Sequence, residues 1–117
     1  MIEQLLRAEN ALALGLLDQA EQIYAQTVAH DPGNAIALVG LSRVALERGD
    51  DRGSLAFARR AQALDPENAQ AKRMVDRLEE VMRERGDAIP PNESALPDRP
   101  STTPKRRGLL GRLSGRS

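Results

Sequence analysis

Apolar residues recur along this chain with the 3.6-residue period of α-helices, in five consecutive stretches. The predicted helices cover residues 2–14, 19–30, 35–48, 53–64 and 69–85. In the first helix, for example, Ile2, Leu5 and Leu12 fall on one stripe. The pattern therefore predicts an all-α fold of five helices.

Residues that end and begin helices stand between these stretches. Gly15 can adopt the positive φ that commonly ends a helix, and Asp18 can cap the helix that follows. Pro32 ends the second helix, and Asn34 can cap the third. The first two helices are thus expected to form an antiparallel hairpin.

A repeat of 34 residues relates this hairpin to the next one. The sequence HDPGNA at positions 30–35 recurs as LDPENA at positions 64–69. At the same shift, Gly15 corresponds to Gly49. Self-similarity at a fixed period of this length indicates a repeat architecture, here with units 1–34 and 35–68.

The fifth helix, residues 69–85, carries apolar residues on one face only. These residues lie within about a third of the helical wheel: Ala71, Met74, Val75, Leu78, Val81 and Met82. A helix inside a longer array would need two apolar faces, so this one is expected to cap the stack.

The 34-residue period, the helix pairs and the Asp-Pro-x-Asn-Ala junctions resemble the tetratricopeptide repeat family. Four residues fit the family pattern well: Ala20, Tyr24, Pro32 and Pro66. Three depart from it: Gln4, Arg7 and Ala58. The resemblance covers residues 1–86 and implies a right-handed superhelical stack of antiparallel helix pairs, an α-solenoid.

Tetratricopeptide proteins bind other proteins, so the resemblance implies an adaptor or scaffold that receives a partner's peptide or helix in a concave groove. The groove residues that it implies are Leu5, Leu6, Glu9, Ile36, Val39, Arg43, Arg73, Met74 and Arg77. Gly40 is expected to lower the groove wall. For the apolar members, packing between helices is the competing interpretation.

Arg43, Arg73 and Arg77 suggest an acidic peptide, because guanidinium groups match the geometry of carboxylates. The alternative is that they are ordinary solvated side chains. The Lys/Asn/Arg clamp with which some family members hold a chaperone's C-terminal carboxylate has no counterpart at the matching positions, among them Glu9 and Gln70.

The composition argues against catalysis. The chain has no cysteine and a single histidine, His30, so it lacks the residues for a thiol nucleophile, a histidine-based metal site or a catalytic triad. Aromatic residues make up only 2% of the chain, which leaves a core of alanine and leucine. We expect no enzymatic activity, no cofactor and no small-molecule substrate.

The last thirty-one residues differ from the rest. Five prolines fall between residues 90 and 104, which predicts a flexible linker over residues 87–104. Residues 105–117 are basic and are expected to be disordered. Their positive side chains are Lys105, Arg106, Arg107, Arg112 and Arg116.

This basic tail supports an alternative function. With Leu109, Leu110 and Leu113 among its charges, it could attach weakly to an anionic surface, so that the chain would be a peripheral membrane or nucleic-acid-associated protein whose repeats serve dimerisation. The simpler interpretation is a solubilising end.

Two further expectations concern location and assembly. No apolar run approaches the ~20 residues that span a bilayer, and no secretory leader is recognisable, which together predict a cytoplasmic protein. The excess of arginine over lysine suggests a GC-rich bacterial genome. A homodimer is possible through the end of the stack near Ile2 and Leu16.

Overall fold

The computed structural model describes residues 2–93, which form five helices. They are α1 (Ile2–Ala13), α2 (Leu17–His30), α3 (Ala35–Glu47), α4 (Asp51–Leu64) and α5 (Ala69–Arg85). No strand occurs within residues 2–93. The prediction of an all-α fold with five helices is confirmed, and every boundary lies within two residues of its predicted position.

The two repeats end and begin their helices with equivalent geometry. Gly15 and Gly49 have φ values of 78° and 79°, in the left-handed region that glycine tolerates. The side chains of Asn34 and Asn68 each accept a hydrogen bond of 3.0 Å from the amide three residues later. The 34-residue sequence period is therefore also a structural period.

The predicted cap at Asp18 is wrong. Helix α2 begins two residues earlier than predicted, at Leu17, and its N-cap residue Leu16 makes no side-chain capping hydrogen bond. Asp18 lies instead in the first turn, where a negative charge favours the positive end of the helix dipole. Its carboxylate pairs with Arg48 at 2.6 Å.

Each helix packs against the next helix in the chain, and α1 also contacts α3. Helix α3 meets α5 in a cluster of buried side chains that includes Val39 and Ala71. Helices α1, α3 and α5 thus form one layer, with α2 and α4 behind it. The exposed surface of this first layer is called the α1–α3–α5 face below.

Small side chains bring the two layers close together. Ala8, Ala20 and Ala58 are fully buried between helices. Ser42 on α3 and Ser54 on α4 are also fully buried, and each hydroxyl donates a 2.8 Å hydrogen bond to the other residue's carbonyl oxygen. These reciprocal bonds satisfy both buried hydroxyl groups, which would otherwise be costly to remove from water.

The residues after α5 fold back against the helices. Gly86 ends α5 with a φ of 78°. Ile89 then packs against a cluster that includes Leu55 and Met82. The buried guanidinium of Arg59 donates to the carbonyl oxygen of Pro90 at 2.7 Å. Residues 87–93, which begin the predicted linker, are therefore anchored on α4 and α5. The rest of that linker and the basic tail lie outside the described residues.

Candidate protein-binding face

An ion pair joins α1 to α3 at equivalent positions of the two repeats. Arg43 Nη1 lies 2.8 Å from Oε1 and 3.1 Å from Oε2 of Glu9. The hydroxyl of Tyr24, from the layer behind, donates a short hydrogen bond to the same carboxylate. Glu9 and Arg43, both predicted groove residues, are therefore paired with each other.

The hydrogen bond between Tyr24 and Glu9 shifts the pKa of both groups. Partial burial raises the pKa of Glu9, but the hydrogen bonds from Tyr24 and Arg43 outweigh burial, so the net pKa is lowered. Burial and the hydrogen bond to Glu9 raise the pKa of Tyr24. At neutral pH, Glu9 is thus ionised and Tyr24 keeps its proton for the hydrogen bond.

Gly40 has a different role from the one predicted. It is buried, and a Cβ at this position would collide with the ring of Tyr24, which is itself fully buried. The glycine therefore lets the tyrosine cross from α2 towards Glu9. It makes room for internal packing, and it does not lower the wall of a groove.

The predicted apolar groove residues divide into exposed and buried sets. Leu6 is 58% exposed and Ile36 is 57% exposed, so both are available to a partner. Val39 is only 3% exposed and belongs to the core between α3 and α5. Leu5 is half-buried and packs against the core cluster of the first repeat.

An open groove of about 590 Å³ lies between α3 and α5. We call it the α3–α5 groove. Its lining residues are Leu46, Asp51, Gln70, Arg73, Met74, Arg77, Leu78 and Val81. The groove thus brings together three of the predicted site residues, all from α5, with apolar side chains from both helices.

The charges in the α3–α5 groove are unevenly compensated. Asp51, a lining residue, pairs at 2.6 Å with Arg85, which does not line the groove. Arg73 and Arg77 are exposed, and within residues 2–93 neither takes part in an ion pair. The groove therefore presents two uncompensated positive charges beside an apolar floor.

Leu46 is a member of the site that the sequence interpretation missed. It is 43% exposed and lines the α3–α5 groove. The helical spacing could have identified it, because Leu46 follows Arg43 by three residues and Ile36 precedes Arg43 by seven, so all three share one face of α3. The interpretation had placed Val81 only on the buried stripe of α5, but it also lines the groove.

His30 shows no arrangement suited to chemistry. Its Nδ1 lies 2.9 Å from the carbonyl oxygen of Gln26, one turn back on the same helix. In the part of the chain that the structure describes, no three His, Cys, Asp or Glu side chains are grouped so that they could hold a metal ion. None of the five helices has the length and apolar character required to cross a bilayer.

Two hairpins of nearly equal length, related by a 34-residue period and followed by a further helix, define a helical repeat protein. A sequence profile described as "Tetratricopeptide repeat" matches residues 11–78, which is more than half of the chain. The chain belongs to the tetratricopeptide repeat family, as the resemblance implied. No curated protein matches it. No solved structure matches it either.

Proposed function

We propose that this chain is a protein-binding module that takes a peptide or helix of a partner on its α1–α3–α5 face. Tetratricopeptide repeats generally mediate protein–protein interaction, and the chain belongs to that family. The proposal names the face and the residues that contact the partner.

The observation that carries the proposal is the exposure of large apolar side chains on one layer. Leu6 on α1, with Ile36 and Leu46 on α3, are each more than two-fifths exposed. Single exposed apolar residues are common on soluble proteins. Leu46 lines the α3–α5 groove and shares a face of α3 with Ile36, and an apolar surface beside a groove is typical of interaction sites.

The nine predicted groove residues then take two kinds of role. Leu6, Ile36, Arg73, Met74 and Arg77 contact the partner. Leu5 and Val39 support the face from the core, while the Glu9–Arg43 pair holds α1 against α3 and so fixes the shape of the face. Leu46 joins the contacting set.

Peptide selection followed by substitution tests the proposal. We would select peptides from a random 12-residue display library on the full chain and measure the dissociation constant of one enriched peptide by fluorescence anisotropy. Leu6→Asp and Ile36→Asp should each raise that constant about tenfold or more, because each places a charge where the bound peptide covers an apolar side chain. Leu64→Asp is the matched control, since Leu64 lies on α4 and is 49% exposed.

The alternative function, through the basic tail, makes the opposite prediction. A chain that ends at residue 104 lacks Lys105, Arg106, Arg107, Arg112 and Arg116. If this shortened chain loses the selected peptide while Leu6→Asp and Ile36→Asp keep it, the tail is the binding element. Peptide binding that survives the truncation and fails in the two variants supports the α1–α3–α5 face.

A further inference from the structure

We propose that the α3–α5 groove selects an acidic segment with apolar anchors, and that Arg73 and Arg77 determine this specificity. The inference rests on the proposed function and names the chemistry of the partner. The occupant we infer is a segment of another protein whose side-chain carboxylates face the two arginines while apolar side chains enter the groove.

The first argument concerns the two arginines. Arg73 and Arg77 lie one turn apart on α5, where like charges repel and mildly destabilise a helix. Asp76, between them in sequence, pairs instead with Lys72 at 3.0 Å. Glu80, three residues after Arg77, forms no ion pair with it. Nothing within residues 2–93 neutralises either guanidinium by an ion pair, which leaves both ready for an external anion.

Arg43 differs from Arg73 and Arg77 in being paired with an acidic side chain of this chain. The sequence interpretation grouped Arg43 with Arg73 and Arg77 as one cluster facing an acidic peptide. Glu9 compensates Arg43 through contacts of 2.8 and 3.1 Å, so this arginine adds little net positive charge to the face. The positive charge is therefore concentrated on α5, at the end of the face opposite α1.

The floor of the groove supplies the second part of the recognition. Leu46, Met74 and Val81 offer apolar contact, and methionine adapts its shape to different partners. Gln70 adds an amide that can donate to and accept from a bound backbone. The lining carboxylate, Asp51, is already paired with Arg85. An anion with apolar neighbours is consequently the ligand that matches the groove.

Charge also disfavours the chain's own tail as the occupant. Residues 105–117 carry five positive side chains and no acidic one, and Arg73 and Arg77 would repel them. A guanidinium is a planar fork that pairs with a carboxylate through two parallel hydrogen bonds, so aspartate and glutamate side chains fit this site. The absence of a terminal-carboxylate clamp agrees with side-chain carboxylates as the target.

The test uses the full chain and the selected library peptides. We expect enriched sequences to contain aspartate or glutamate together with leucine, isoleucine, methionine or phenylalanine. Arg73→Glu and Arg77→Glu should each raise the dissociation constant about tenfold, and raising the salt concentration should weaken wild-type binding. Arg83→Glu is the matched control, because Arg83 is an exposed arginine of α5 outside the groove lining. Circular dichroism verifies that each variant is folded.

The outcomes separate this inference from the proposed function. One outcome would overturn the inference and leave the proposed face intact. In that outcome the selected peptides lack acidic residues, and their binding is lost in Ile36→Asp but unchanged in Arg73→Glu and Arg77→Glu. Equal losses for Arg83→Glu and Arg77→Glu would show a general charge effect and would also overturn the inference. If no peptide is enriched, or none responds to either set of substitutions, both proposals are wrong.

Discussion

At the scale of single residues, Tyr24 links the packing of α2 against α3 to the ion pair between α1 and α3. Its ring fills the space above Gly40, and its hydroxyl reaches the Glu9–Arg43 pair. In the sequence, Tyr24 stands out as a residue that fits the repeat-family pattern, and in the structure it is completely buried. The sequence could not predict the hydrogen bond from Tyr24 to Glu9, because that bond depends on the distances of α2 from α1 and α3.

Gly40→Ala tests the close approach of Tyr24. Overpacking a core costs about 1–3 kcal/mol, while replacing a helical glycine by alanine gains about 1 kcal/mol. The new methyl group would collide with the tyrosine ring, so we expect a net loss of up to about 2 kcal/mol in the free energy of unfolding. Urea denaturation measures it. A variant more stable than the wild type would contradict the packing described for Tyr24.

Glu9→Gln tests the charge of the α1–α3 ion pair. The pKa of Glu9 is lowered in the folded state. Its stabilising contribution is therefore present above the unfolded pKa, about 4.3, and is lost as the pH falls through the lower folded value. The carboxylate is partly solvated, so the loss at neutral pH should be at most about 1 kcal/mol.

Urea titrations of the wild type and Glu9→Gln between pH 3 and pH 7 provide the comparison. The stability difference between the two chains should be largest near pH 7 and shrink towards pH 3. Because every other carboxyl group titrates in both chains, the difference isolates Glu9. A difference that stays constant over this range would mean that the Glu9 charge contributes nothing.

At the scale of elements, the helices were predictable and the segment after them was not. Glycine, proline and asparagine mark the helix ends in the sequence. The Asn34 cap occurs as expected, and Asn68, its equivalent one repeat later, caps α5 in the same way. Residues 87–93 look like a linker by composition. Their anchoring depends on Ile89 and on Arg59, a residue about thirty positions earlier whose burial no local pattern indicates.

Arg59→Met should release this segment. Arg59 donates one hydrogen bond to the carbonyl oxygen of Pro90 and another, of 2.9 Å, to the carboxylate of Glu79. Loss of these bonds should lower the free energy of unfolding by about 1–3 kcal/mol. It should also speed amide hydrogen exchange in residues 87–93, as measured by mass spectrometry.

Arg60→Met is the control for that substitution. Arg60 is the exposed neighbour of Arg59 and lies 5.8 Å from the ring centroid of Phe57. Its loss should change stability by no more than about 0.5 kcal/mol. If Arg59→Met and Arg60→Met had the same small effect, the buried guanidinium would not anchor the segment.

At the scale of the whole molecule, the family and the layer of α1, α3 and α5 followed from the repeat, while the details of the face did not. The sequence interpretation named Arg73, Met74 and Arg77 as residues of the partner-binding groove. It could not show that Glu9 neutralises Arg43 or that Val39 is buried, because both depend on the distances between helices. The concave superhelix and the domain boundary at residue 86 stay predictions.

The homodimer also stays a prediction at this scale. Ile2 and Leu16, which the sequence placed at an uncovered end of the stack, are 73% and 48% exposed. A second copy or a larger partner could cover them. Their end of the molecule belongs to the first hairpin, whereas the α3–α5 groove belongs to the second repeat and α5, so binding at one does not require binding at the other.

The most direct test of the central claim is to map where a selected peptide binds. We would add that peptide to the ¹⁵N-labelled full chain and follow backbone amide shifts by NMR. We expect the shifts to concentrate in α1 near Leu6, in α3 near Ile36 and Leu46, and in α5 between Gln70 and Val81. Shifts confined to α2 and α4, or to residues 105–117, would contradict binding on the α1–α3–α5 face.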